Sequence, residues 1–121
     1  MADKSFLTWP FFEDRHRELS EALDAWCRAS LGAVDHADTD AACRQLVTLL
    51  GEAGFAVHSG AEDGKLDLRT LCLIRETLAR HDGLADFSFA MQGLGTGAIS
   101  LFGSVEQKTK WLPQTRSGKA I

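Results

Sequence analysis

The stretch FSFAMQGLGTGAISLFGSV, from Phe87 to Val105, runs for nineteen residues without a charged side chain. Ser88, Gln92, Thr96, Ser100 and several glycines interrupt its apolar residues. Only about half of it is hydrophobic, well short of the roughly 20 predominantly apolar residues that a membrane span needs. A soluble helix with no charged face is one enclosed by other helices. The stretch is therefore expected to be the central, buried helix of a helical domain.

Working outward, Ser104-Val105-Glu106-Gln107 fits a capping box, in which the serine receives the amide three residues on and Gln107 reaches back. A short helix should follow and stop before Pro113. On the N-terminal side, Asp67 can cap a helix through Leu71, Ile74 and Leu78 that ends at His81-Asp82-Gly83. Phe55 to Lys65, with Gly60 and Gly64 and mixed polarity, reads as a loop. An earlier helix begins at Asp38 or Thr39, keeps Leu46, Leu50 and Ala53 in register, and meets Gly54 at its end. The first helix is expected to start near Pro10, with Phe12, Leu19, Leu23 and Trp26 on one face and acids crowding its N-terminal half. Short connections make neighbours antiparallel, so the fold class is all-α, an antiparallel helical bundle.

The chain has 121 residues, 45% hydrophobic, which suits one domain with a core of its own. With 13 basic against 17 acidic residues it is neither a disordered chain nor a strongly basic nucleic-acid binder. From Ser104 onward the balance reverses, with Glu106 facing Lys108, Lys110, Arg116 and Lys119. Cys27, Cys43 and Cys72 form no CxxC pair and sit in helix-like apolar runs, so they are expected to be buried, reduced and inert. The opening MADKSFLTWPFF has neither the basic start and apolar core of a signal peptide nor the arginines of a transit peptide. A cytoplasmic location is the expectation.

Gly93-Leu94-Gly95-Thr96-Gly97-Ala98 satisfies GxGxxA, but a dinucleotide fingerprint also needs a following strand that ends in an acid about 20 residues on. No Asp or Glu follows Glu106. Glycine inside a helix costs ~1 kcal/mol against alanine, so three of them ask for a reason. Either another backbone approaches closely, or a ligand runs along the N-terminal half past Phe87, Ala90, Met91 and Leu94. His16, His36, His58 and His81 lack the spacing that sets two metal ligands on one helical face. There is no GxSxG and no P-loop, and no complete catalytic constellation.

The string from Gly93 to Ile121, GLGTGAISLFGSVEQKTKWLPQTRSGKAI, closely resembles the end of the N-terminal helical domain of flavin-dependent acyl-CoA dehydrogenases. The resemblance rests on Phe102-Gly103-Ser104, Glu106-Gln107-Lys108, Trp111-Leu112-Pro113 and Gly118, where the family writes FG(S/T)xEQKxx(Y/W)LP, a short spacer and G. It covers essentially the whole chain, firmly from Leu71 onward, and departs at His58 to Gly64, where the family carries a proline-containing loop. It implies that residues 1–121 are the first of three domains, with the β-domain, the C-terminal helical domain and the catalytic glutamate outside this chain.

For the complete protein the resemblance implies α,β-dehydrogenation of an acyl-CoA thioester, with FAD bound mainly by the other domains. An electron-transferring flavoprotein would reoxidise the flavin, and the enzyme would be a homo-oligomer. Matched residue by residue, Phe87, Ala90, Met91 and Leu94 would line the acyl pocket with Asp86 at its rim, for a short or medium chain. No residue here is expected to be catalytic or to bind a metal. Oxidases and flavin monooxygenases of the same fold share the motif. The alternative is a non-catalytic helical interaction module from a truncated homologue. Exposed apolar surface on the glycine-rich helix would favour a domain that awaits its partners.

Overall fold

Helices start in this chain where a side chain can take up a free first-turn amide. In the computed structural model, which describes residues 3–61 and 65–121, five α-helices follow that rule. They are α1 (Asp14–Ser30), α2 (Thr39–Glu52), α3 (Leu68–His81), α4 (Gly83–Phe102) and α5 (Val105–Arg116). Asp38 caps α2 through the Ala41 amide at 3.0 Å, and Asp67 caps α3 through the Arg69 amide at 3.1 Å. Asp82 takes the Leu84 and Ala85 amides at 2.8 and 3.3 Å and so closes α3 and opens α4 in one residue. The Ser104–Gln107 box forms as expected, with its two bonds at 3.2 and 2.9 Å. Gly54, at φ +83°, turns the chain beyond α2 as its position suggested.

Two boundaries differ from the sequence reading. Helix α1 begins at Asp14 and not near Pro10, because Glu13 is its cap: the Glu13 amide donates to His16 Nδ1 at 2.9 Å in a box closed by a histidine ring. The residues before it form a short 3₁₀ turn, Ser5–Thr8, held by Arg17, which donates to the Leu7 and Phe12 carbonyls at 2.6 and 2.9 Å. Helix α5 runs through Pro113 to Arg116. Proline withdraws only one amide from the ladder, the one that would meet the Thr109 carbonyl, and the last turn continues with Thr115 Oγ1 donating to the Trp111 and Leu112 carbonyls at 3.2 and 3.1 Å. Gly118 then ends the helix at φ +73°.

Within the expected loop, Ala56–Ser59 is a 3₁₀ turn whose Ala56 and Ser59 are buried; residues 62–64 lie outside the described residues. The core gathers Leu23 and Cys27 from α1, Leu46 and Leu50 from α2, Ile74 and Leu78 from α3, and Ala85 and Phe89 from α4. Helix α1 packs on α3, while α4 touches α2, α3 and α5. Two carboxylates pin the helices electrostatically. Asp24 on α1 meets His81 at 2.7 Å and Lys4 at 3.3 Å, and Asp67 meets His16 at 3.0 Å and Arg15 at 2.8 Å.

The cysteines are not all buried. Cys27 is, and burial pushes its thiol up to about 11; Cys43 is half-buried and Cys72 exposed, because they fall at the margins of the buried faces of α2 and α3. Among the described residues no helix is long and apolar enough to cross a membrane.

Candidate functional site

Helix α4 is central but not enclosed, which corrects the expectation of a fully buried helix. Its contacts with α2, α3 and α5 leave one long face open, and that face is apolar. Phe87, Met91, Leu94, Leu101 and Phe102 are exposed, Leu94 by 71% and Phe102 by 88%. The buried side carries Ser88, Gln92, Thr96 and Ser100 at every fourth residue, beside Ala85 and Phe89. Over most of its length the helix therefore reverses the usual pattern of apolar inside and polar outside.

The glycines divide between the two explanations the sequence left open. A Cβ at Gly93 would come within 2.7 Å of the Ser59 carbonyl oxygen, so close backbone packing accounts for that position. At Gly95 and Gly97 a Cβ would meet nothing within 4 Å. Packing explains neither of them.

Gly95 instead opens a groove of about 440 Å³ beside the exposed face. Phe87, Ser88 and Met91 line it from α4, Val47 from α2 and Trp111 from α5, and among the described residues no charged side chain takes part. The size and apolar lining suit an aliphatic or drug-sized ligand. Of the residues expected at the site, Phe87 and Met91 come together in this groove. Half-buried Ala90 and exposed Leu94 lie on the adjoining strip of α4, outside its lining. Asp86, in the first turn, is clasped by Arg75 of α3 through two bonds of 2.8 and 2.9 Å, a bidentate pair that fixes α3 to α4.

The sequence reading did not single out Ser88, Val47 or Trp111 for the groove. The spacing 87, 91, 95 was there to place Gly95 beside the two bulky residues. The contributions of α2 and α5 arise from tertiary packing and leave no local signal. Among the described residues no three His, Cys, Asp or Glu side chains group to hold a metal ion.

This arrangement defines a class: a small helical domain whose central helix offers an uncharged apolar wall outward. The sequence pattern of the family described as "Acyl-CoA dehydrogenase, N-terminal domain" matches residues 13–119, and the chain belongs to that family. No curated protein matches the chain.

Proposed function

We propose that this chain is the N-terminal domain of a flavin-dependent acyl-CoA dehydrogenase and that α4 walls one side of the acyl pocket. The reversed α4 carries the reading. An uncharged strip of exposed Phe87, Met91 and Leu94 around half-buried Ala90 is costly in water and suits contact with an aliphatic chain and with further domains. Asp86 sits at the rim of that strip, its carboxylate engaged by Arg75.

In this reading the complete enzyme removes hydrogens from the α and β carbons of an acyl-CoA thioester, and FAD accepts them as the family's general cofactor. The α4 groove does not fit the flavin: its lining has no charged side chain to meet a pyrophosphate. We therefore place the FAD site, with the catalytic base, in the β-domain and C-terminal helical domain of the enzyme. An electron-transferring flavoprotein as acceptor, a homo-oligomeric assembly and a cytoplasmic location belong to the same proposal.

The test is made on the protein from its native gene. Its intact mass, its visible flavin absorbance and the bleaching of that absorbance by a series of acyl-CoA thioesters are measured together. The expected result is a mass about three times that of this chain, bound flavin, and bleaching by at least one thioester. A folded protein with no flavin, unaffected by any acyl-CoA, would overturn the reading in favour of an interaction module.

A further inference from the structure

The polar stripe on α4 is paired at three of its four positions. Gln92 Nε2 donates to the Thr115 and Ala120 carbonyls at 3.2 and 2.9 Å. Thr96 Oγ1 donates to the Gln92 carbonyl at 2.7 Å, and Ser100 Oγ to the Gly97 carbonyl at 3.1 Å. Ser88 is the exception. It is 4% exposed, and its Oγ has no hydrogen-bond partner among the described residues.

A helical serine commonly satisfies its hydroxyl by bonding a carbonyl of the preceding turn, as Thr96 and Ser100 do here. Leaving a buried hydroxyl unpaired costs its full desolvation, and an alanine, as at Ala85 one turn earlier on a buried position, would avoid that cost. Position matters as well: Ser88 lines the α4 groove beside Phe87 and Met91, whereas the other lining hydroxyls, Thr96 and Thr115, are engaged with backbone carbonyls. The groove thus combines a lining without charged side chains with one buried hydroxyl that no described group engages.

We propose that Ser88 is a specificity-determining residue whose hydroxyl donates a hydrogen bond to an oxygen atom carried on the aliphatic chain that fills this groove. The ligand class is a chain bearing a hydroxyl, keto or ether oxygen. An ionised carboxylate or phosphate at that point would be desolvated with no cation to meet it. The identification of the chain as the acyl group of a thioester rests on the function proposed above; the binding chemistry at Ser88 does not.

Trp111 lines the same groove and reports its filling. The protein from its native gene is titrated with octane and with 1-, 2-, 3- and 4-octanol while tryptophan fluorescence is followed, and Trp111→Phe identifies the signal. One alcohol isomer should bind about tenfold more tightly than octane, the scale of one hydrogen bond that satisfies a buried donor. Ser88→Ala should remove that advantage and Ser88→Thr should restore part of it. Equal binding of all the alcohols and octane, no binding of any, or an advantage that survives Ser88→Ala would overturn the proposal. In turnover, the ratio of kcat/KM for an oxygenated over a saturated acyl-CoA of equal length should fall about tenfold in Ser88→Ala. Alcohol discrimination without any acyl-CoA turnover would overturn the dehydrogenase reading alone, and turnover whose ratio ignores Ser88 would overturn the Ser88 proposal alone.

Discussion

Gly93 of α4 and Ser59 of the preceding 3₁₀ turn meet backbone to backbone: a Cβ at position 93 would stand 2.7 Å from the Ser59 carbonyl oxygen. That oxygen belongs to a main chain tied down by the Ser59 hydroxyl, which donates to the Ala56 carbonyl at 2.8 Å, so it cannot yield cheaply. Four residues on, Gly97 faces open space. The two glycines should therefore respond with opposite sign to the same substitution. Gly97→Ala gains helix propensity and should stabilise the chain by up to ~1 kcal/mol. Gly93→Ala makes the same gain but overpacks the contact, for a net loss of about 1–2 kcal/mol. Urea unfolding of the two variants, compared with the parent, measures both; a Gly93→Ala variant as stable as Gly97→Ala would mean that the Ser59 turn can shift.

Acid should unfold the chain through Asp24 and Asp67. The hydrogen bond from His81, joined by Arg28 and Lys4, holds the Asp24 carboxyl well below the usual carboxylate range against the opposing effect of burial. For Asp67 burial is the largest single influence and would raise it, but His16, Thr70, Arg15 and Arg69 together outweigh it and the carboxyl is again lowered. Both groups therefore titrate lower folded than unfolded, and the unfolded chain takes up protons first as the pH falls. The stability they contribute is complete above the unfolded value of about 4 and drains away below it. The urea midpoint should fall steeply below about pH 4. Asp24→Asn should lower the midpoint at pH 7 and flatten the acid limb, and a limb as steep as the parent's would exclude Asp24 from the acid transition.

What the sequence makes legible here is local. Asp38, Asp67 and Ser104 cap their helices within three residues of themselves, and Gly54 supplies its own positive φ, so each could be placed from neighbours along the chain. Pro113 and Pro10 mislead for the opposite reason. A proline three residues from the end of α5 leaves only one carbonyl of that helix without its amide, and whether a helix starts at Pro10 or at Asp14 turns on a histidine ring that meets the Glu13 amide. The absence of charge from Phe87 to Val105 correctly set this helix apart, but burial and an exposed apolar wall produce the same composition. Only the placement of α2, α3 and α5 decides that Ser88 lies inside and Leu94 outside. Phe87 and Met91 could be found from spacing; Val47 and Trp111 could not, because they reach the groove from other helices.

The exposed strip of α4 gives the proposed acyl wall a direct test at Ala90, the small residue half-buried among Phe87, Met91 and Leu94. Ala90→Trp adds bulk where the wall is otherwise thin, and because the strip is open in this chain the substitution should leave stability nearly unchanged. In the complete enzyme it should exclude the far end of a long acyl group while leaving room for a short one. Each methylene denied its apolar contact costs roughly 0.8 kcal/mol, so losing room for two carbons should lower kcat/KM for the longest accepted thioester about tenfold relative to one shorter by that length. The measurement is kcat/KM across a chain-length series for the parent and the variant. A uniform fall at every length would mean that the added indole disturbs domain packing and not the pocket. Unchanged relative values would take Ala90 out of the acyl wall and leave the groove beside Phe87, Met91 and Gly95 as the surface the substrate uses.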